Sequence, residues 1–166
     1  SSVSEAEMSR IRAICGSQLI KLAQEPVFKT LITADFFHKI ARLIIDPVTN
    51  VRDIIIKKLH NGLKSSRLSF HYMAIFALIG LDSNRERKSR VKKIYSNIIK
   101  QIRLQDAREQ QSRLQKEQNQ QQQSGATTTN RPRILPEMCL PYAISLIGHN
   151  VKIDSLKDDN KVKQIK

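Results

Sequence analysis

A regular spacing of 40 residues constrains this chain more than any other feature of its sequence. Three segments share one pattern: IRAICGSQL from Ile11, VRDIIIKKL from Val51 and VKKIYSNII from Val91. Each begins with an aliphatic residue and a cation, and apolar residues follow three, four and eight positions after the first. Residues at these offsets lie on one face of an α-helix. The pattern therefore predicts three equivalent amphipathic helices.

More apolar helices are predicted between the amphipathic ones. ADFFHKIARLII follows Thr33 and ends before Asp46-Pro47, and FHYMAIFALIGL lies between Ser69 and Asp82. Near the end of the chain, LPEMCLPYAISLIGHN repeats the LIG of the second apolar segment. HEAT and armadillo repeats have a period of about 40–47 residues. The alternation therefore predicts an all-α fold, a HEAT-repeat α-solenoid segment made of antiparallel helix pairs.

The same pattern divides the chain into three parts. HEAT-type helical repeats are expected over residues 4–118, and a further repeat is expected to start within 134–166. Residues 119–133 are rich in Gln and Thr and lack apolar periodicity, which predicts a flexible insert. Neither end of the sequence resembles a polar cap. We therefore expect a piece of a longer solenoid with apolar terminal faces.

The turn at Asp46-Pro47 raises a question about the arginine that follows it. Proline cannot continue a helix and disfavours helical geometry in the preceding residue, so the apolar helix should end at Asp46. Thr49 or Asn50 would then cap the next helix. Arg52 could hydrogen-bond to the preceding turn, pair with an aspartate of a neighbouring repeat in a ladder along the stack, or stay solvated. The sequence leaves these alternatives open.

The charge of the chain indicates an anionic partner. The 166 residues contain 29 Lys and Arg against 15 Asp and Glu, a formal net charge of +14. Such an excess of positive charge favours nucleic acid, an inositol phosphate or an acidic protein as the partner, and it does not distinguish between these three. The longest apolar run, YMAIFALIGL, has ten residues and is too short to span a bilayer, so no membrane contact is expected.

The two cysteines predict no disulfide. Cys15 and Cys139 lie far apart and form no CxxC pair. Because both have apolar neighbours, we expect buried free thiols, which fits a reducing compartment.

No motif in the sequence indicates catalysis or a cofactor. Neither a nucleophile elbow, a zinc-protease motif nor a phosphate-binding glycine loop is present. His60 and His71 could approach each other across a helix pair, but no carboxylate or thiol lies at ligand spacing. The histidines are therefore interpreted as structural, and the chain as a non-enzymatic protein without a cofactor.

The strongest local anomaly is the basic segment RERKSRVKKIY. Residues 85–118 contain 11 basic and 4 acidic side chains, which is half of the net charge of +14. Apolar residues from Val91 onwards take one face of the predicted helix, and most cations are left on the other. The segment supplies the candidate residues for binding an anionic partner: Arg85, Arg87, Lys88, Arg90, Lys92 and Lys93. The alternative is a solvated helix face without a ligand.

Five segments in order resemble a known family of cohesin regulators. KLAQEPVF, VRDIIIKKLHNGL, YMAIFALIGLD, RERKSRVKKIY and LPEMCLPYAISLIGHN are similar to the later HEAT repeats of the family called precocious dissociation of sisters. The resemblance covers most of residues 8–165 apart from the Gln-rich insert. It implies a large nuclear, chromatin-associated α-solenoid that maintains and releases sister-chromatid cohesion.

The resemblance also implies partners. Proteins of this family bind the cohesin complex through its kleisin subunit and work with the wings-apart-like release factor. The family has an inositol hexakisphosphate site, but its ligands cannot be assigned to residues of this segment. Two alternatives remain at the level of the sequence: another HEAT-repeat adaptor of the nuclear transport type, and direct DNA binding by the basic helix.

Overall fold

The computed structural model describes residues 4–28, 31–120 and 135–150, and all their regular elements are helices. Five α-helices follow one another: α1 (Glu5–Leu22), α2 (Ala34–Arg42), α3 (Thr49–Lys64), α4 (Arg85–Gln120) and α5 (Leu140–Asn150). Four 3₁₀ helices lie between them, at Pro26–Phe28, Leu43–Ile45, Phe70–Leu81 and Pro136–Cys139. The predicted all-α class is confirmed.

The helices form two layers. One layer contains the amphipathic helices, in which α1 packs against α3 and α3 packs against α4. The other contains the apolar helices: α2 with its 3₁₀ extension, the long 3₁₀ helix at Phe70–Leu81, and α5. The 3₁₀ extension of α2 packs against α3 and the long 3₁₀ helix packs against α4, so each of these apolar segments pairs with the amphipathic helix that follows it. This is the predicted stacking of helix pairs.

The core between the layers is largely aliphatic. In α3 three of the four predicted inward positions are almost completely shielded from solvent, Val51, Ile55 and Leu59, and the fourth, Ile54, is partly buried against the same core. The three shielded residues belong to one buried cluster with fully shielded residues of the apolar layer, among them Ile40, Ile44, Met73, Ile75 and Leu78. Burying side chains of this kind contributes about 1.5–3 kcal/mol each, so the stack is held together chiefly by aliphatic contact.

The inward face of α1 differs from the one predicted. Ile11 and Ile14 are 49% and 60% exposed, and Cys15 is exposed as well. The buried face instead carries Ala13, Gly16, Ser17 and Ile20. Helix α1 approaches its neighbours so closely that a Cβ on Gly16 would lie 2.3 Å from Leu43 Cδ1 and 2.8 Å from Ile55 Cδ1. The prediction of two buried cysteines is therefore wrong for Cys15 and confirmed for Cys139.

The apolar side chains that α1 leaves in solvent fit the expectation of apolar terminal faces. Met8, Ile11 and Leu22 are each at least 39% exposed. The same is true at the other end of the stack, where Tyr142 and Ile144 of α5 are 44% and 71% exposed.

The helix boundaries follow the predicted stop signals, with one correction. Ser69 and Asp82 flank the apolar helix 70–81, as predicted, but this helix has 3₁₀ geometry over its full length. Helix α3 has Val48 as its N-cap rather than Thr49 or Asn50. The Asp46 carboxylate accepts a hydrogen bond of 2.8 Å from the Val48 N–H, which fixes the turn just before the helix, and no side chain caps α3.

The boundaries of the insert are only partly visible. Helix α4 continues to Gln120, close to the predicted extension, so residues 119 and 120 are helical. The rest of the predicted insert, residues 121–133, lies outside the described residues, as does 151–166 of the final part. The described portion of 134–166, where the start of a further repeat is predicted, contains the 3₁₀ helix Pro136–Cys139 and α5. No helix of the described ranges has the length and apolar character needed to cross a membrane.

Candidate functional site

Arginines near the start of the amphipathic helices reach across to aspartates that end apolar helices. Arg12 of α1 donates to Asp46 at 2.7 Å, and Arg52 of α3 lies 3.5 Å from the Asp82 carboxylate. Arg52 also donates to Thr49 Oγ1 at 2.9 Å, in the first turn of its own helix. Of the three alternatives for Arg52, the pairing with an aspartate of a neighbouring repeat is therefore the one observed, since Thr49 belongs to its own helix and not to the preceding turn. The pairing with an aspartate at the end of an apolar helix occurs twice along the stack.

A second set of contacts joins the start of α4 to the same aspartate. Arg87 donates to Asp82 Oδ2 at 2.7 Å and lies 3.3 Å from Asp53 of α3. Arg90 also pairs with Asp53. The Asp82 side chain is fully buried and that of Arg87 is 6% exposed, so the pair joins α4 to the helix 70–81 below the surface, whereas the link to α3 through Asp53 is partly exposed.

The surrounding charges keep both carboxylates ionised. Burial by itself would raise the pKa of Asp82, but the N–H of Asn84 and the guanidinium of Arg87 outweigh burial and hold that pKa below its usual range. Burial by itself would also raise the pKa of Asp53. The hydrogen bonds from Arg90 and Arg87 outweigh burial, so the pKa of Asp53 is lowered as well. The pKa of Arg87 is raised by its hydrogen bond to Asp82. The group is therefore a fixed set of ion pairs at neutral pH.

The structure separates the six candidate cations into two groups. Arg87 is buried and Arg90 is paired with Asp53, so neither offers a free charge to a ligand. Arg87 thus does not lie with the cations on the solvent side of the helix, because it pairs with Asp82 and Asp53. Within the described residues no ion pair is found for the other four, of which Lys88 is half-buried and the rest are exposed: Arg85, Lys88, Lys92 and Lys93.

Three of these cations form a stripe along α4. Arg85, Lys88 and Lys92 are three and four positions apart and therefore lie on one side of the helix. Arg103 is 18 positions after Arg85, which corresponds to about five turns at 3.6 residues per turn, and so points the same way. It pairs with Glu137 at 3.1 Å. The stripe accordingly lies on the edge of α4 that faces the last repeat.

The same edge of α4 is joined to the 3₁₀ helix Pro136–Cys139 by a partly buried contact. The Tyr95 hydroxyl lies 3.5 Å from Cys139 Sγ, and burial followed by this hydrogen bond raises the pKa of Tyr95 to about 12. The contact gives Cys139 a packing role in the described structure.

Three of the four histidines, His38, His71 and His149, have ring contacts. His71 stacks on Tyr142 with ring centroids 5.1 Å apart, and the His38 and His149 rings are 4.5 Å apart. Burial lowers the pKa of His71. The predicted approach of His60 to His71 has no counterpart among the ring contacts described. Within the described residues no three His, Cys, Asp or Glu side chains are grouped so as to hold a metal ion.

Sequence reasoning missed the two aspartates that organise the site. Asp82 was identified only as the end of an apolar helix, and Asp53 was given no role. The available signal was the position of Asp53 beside Arg52, since both residues point from the first turn of α3 toward the next repeat.

Comparison with known proteins places the chain in a family. The sequence model of the family described as sister chromatid cohesion protein PDS5 matches residues 1–166. Sister chromatid cohesion protein PDS5 homolog B of Gallus gallus is 32% identical over 164 residues, which cover 99% of this chain and 11% of the relative. Homolog B of Homo sapiens is 31% identical over 99% of this chain and 10% of its own length.

Homolog A of the same group gives a similar result. The protein of Mus musculus is 32% identical over 99% of this chain and 11% of its own length. The chain thus spans about a tenth of the length of the curated relatives it matches. Since the family match extends over the whole sequence and agrees with the helical repeats described above, the chain belongs to the PDS5 family of sister chromatid cohesion proteins.

Proposed function

We propose that this chain is a non-enzymatic scaffold segment of a cohesin regulator that controls sister-chromatid cohesion and the release of cohesin from chromatin. The observation that carries the proposal is the family match over residues 1–166, since the relatives are named for sister chromatid cohesion. The repeat architecture supports it, because stacked helix pairs present extended surfaces for protein contacts. The family match decides against the nuclear transport alternative.

The partners in this proposal are the kleisin subunit of cohesin and the wings-apart-like release factor, met in the nucleus on chromatin. The contact on this chain is the stripe Arg85, Lys88 and Lys92. Its charges have no ion-pair partner within the described residues, whereas Arg87 and Arg90 on the same helix are engaged by Asp53. An acidic protein segment along the stripe would relieve the repulsion between its cations and gain charge-assisted hydrogen bonds.

A charge-reversed variant tests the proposal. Changing Arg85, Lys88 and Lys92 to Glu in the full-length protein should weaken co-precipitation of cohesin about tenfold or more, because opposite charges become like charges. The control changes three exposed cations elsewhere to Glu and removes the same net charge: Arg10, Lys21 and Arg42. Thermal unfolding should be unchanged or shifted upward in the stripe variant. Equal binding by the stripe variant and the wild type at low salt would show that the stripe is a solvated face.

A further inference from the structure

Two neighbouring helices carry the same exposed triplet of side chains. In α3 the triplet is Lys57, Asn61 and Lys64, and in α4 it is Lys93, Asn97 and Lys100. In both helices the three residues are separated by four and three positions, so each triplet lies on one face. All six side chains are exposed, and the buried residues of each helix lie on the opposite side.

The two triplets lie at the same height along the stack. Asp53 of α3 pairs with Arg90 of α4, and Gln101 of α4 donates to the Lys64 carbonyl at 3.1 Å. Each contact joins residues that are 37 positions apart in the sequence. The two contacts are 11 residues apart along each helix, so α3 and α4 run parallel with a constant register. The triplets are related by 36 positions. Lys57 is therefore level with Lys93, and Lys64 with Lys100, to within one residue or about 1.5 Å along the helix axis.

The array has a definite size. Lysines within a triplet are seven residues apart, which is about 10.5 Å at a rise of 1.5 Å per residue. Packed helix axes are typically about 8–10 Å apart, which sets the width of the array across the two helices. Four ammonium groups with an amide between each pair thus surround a patch of roughly 10 Å by 10 Å. Helix α1 carries no matching triplet, because residues 17, 21 and 24 are Ser, Lys and Gln.

No carboxylate competes for these donors within the two helices at this height. Residues 54–64 and 87–105 contain neither Asp nor Glu. The nearest carboxylate in sequence, Asp53, is engaged by Arg87 and Arg90. Within the described residues no ion pair is found for Lys57, Lys64, Lys93 or Lys100.

We propose that this Lys-Asn-Lys array binds the phosphodiester backbone of duplex nucleic acid, independently of its sequence. Lysine and asparagine both donate hydrogen bonds to phosphate oxygens in protein–DNA contacts. Neither triplet contains an aromatic side chain, so the array holds phosphates without stacking bases. Lysine acts on phosphate as a flexible point charge and does not require one fixed geometry. This site goes beyond the proposed protein scaffold and lies on a different side of α4 from the Arg85 stripe.

The probe is a fluorescently labelled 20-base-pair DNA duplex of mixed sequence, titrated with the full-length protein by anisotropy over a range of salt concentrations. The array variant changes Lys57, Lys64, Lys93 and Lys100 to Gln. The control variant removes the same charge from four exposed cations off the array, by changing Arg10, Lys21, Arg42 and Arg67 to Gln. Thermal unfolding of both variants should match the wild type.

We expect the array variant to lose affinity for the duplex by about tenfold or more at low salt, while the control loses much less. Each lost phosphate contact lowers the slope of log affinity against log salt by about 0.9 for B-DNA, so four contacts lower it by about 3 to 4. An equal loss in both variants would overturn the proposal, because it would show only general attraction by the net charge. Absence of duplex binding by the wild type would also overturn it.

Two further measurements distinguish a nucleic-acid ligand from an acidic protein ligand, and the array from the Arg85 stripe. If an acidic polyglutamate peptide binds the array and the duplex does not, the site takes an acidic protein segment and the proposal is wrong. Cohesin co-precipitation by the array variant should equal that of the wild type, because the Arg85 stripe is intact. If the duplex does not bind but cohesin binding is normal, the array proposal fails and the scaffold proposal is unaffected. If the duplex binds as expected but cohesin does not bind, the scaffold proposal fails and the array proposal is unaffected.

Discussion

The Arg52 guanidinium of α3 lies 3.5 Å from the carboxylate of Asp82, the residue that ends the apolar helix of the next repeat. The relationship is the same as that of Arg12 to Asp46 one repeat earlier. Both arginines are the second residue of the repeated pattern, and both aspartates close an apolar helix. A turn that would otherwise only end a helix therefore also fixes the neighbouring repeat in register.

Removing the Asp82 carboxylate should destabilise the stack strongly. Asp82→Asn leaves Arg87 without a full counter-charge at a site where its side chain is 6% exposed, and Arg52 loses the same partner. Breaking one side of a buried ion pair destabilises by about 3–5 kcal/mol. Chemical unfolding of the variant measures the change. Glu25→Gln at an exposed position serves as the control and should change stability by less than about 0.5 kcal/mol. A loss for Asp82→Asn as small as that of the control would contradict the assigned role.

Acid should unfold the chain partly through the same group. The pKa values of Asp82 and Asp53 are lowered in the folded state, so their contribution to stability is present above the unfolded aspartate pKa of about 3.9 and is lost as the pH falls further. The melting temperature of the wild type should therefore fall steeply below about pH 4. In Asp82→Asn the fall should be shallower, because one of the two groups no longer takes up a proton. Parallel curves for the two proteins would show that Asp82 does not contribute.

Equivalent positions in two repeats should respond differently to the same substitution. Ile55 is fully buried, whereas Cys15, which is 40 positions earlier, is exposed. Ile55→Asp should lower the free energy of unfolding by several kcal/mol because it buries an unpaired charge. Cys15→Asp should change it little. Thermal unfolding of both variants checks this, and similar melting temperatures would mean that the two positions share one environment.

Much of the fold was predictable because it depends on local patterns. The apolar periodicity located α3 and α4, and Ser69, Asp82 and Pro47 marked the ends of apolar helices correctly. Position along the chain could not show which side of α1 faces inward, since Gly16 is buried through a close approach to Leu43 and Ile55 rather than through its own hydrophobicity.

The candidate site was less predictable than the fold. A run of cations predicts a solvated face, and nothing local distinguishes Arg87 from Lys88. The difference arises from Asp53, which is 34 positions away, and from the turn at Asp82. The level placement of the triplets in α3 and α4 likewise becomes visible only when the contacts of Arg90 and Gln101 fix the register between the helices.

The central claim is that this chain forms part of a scaffold that binds cohesin. The most direct measurement is co-precipitation of the cohesin subunits, including the kleisin, with the full-length protein and with a version that lacks residues 1–166. Deletion should reduce the recovery of cohesin, and the charge-reversed Arg85, Lys88 and Lys92 variant should reduce it as well. Full recovery of cohesin by both altered proteins would contradict the claim.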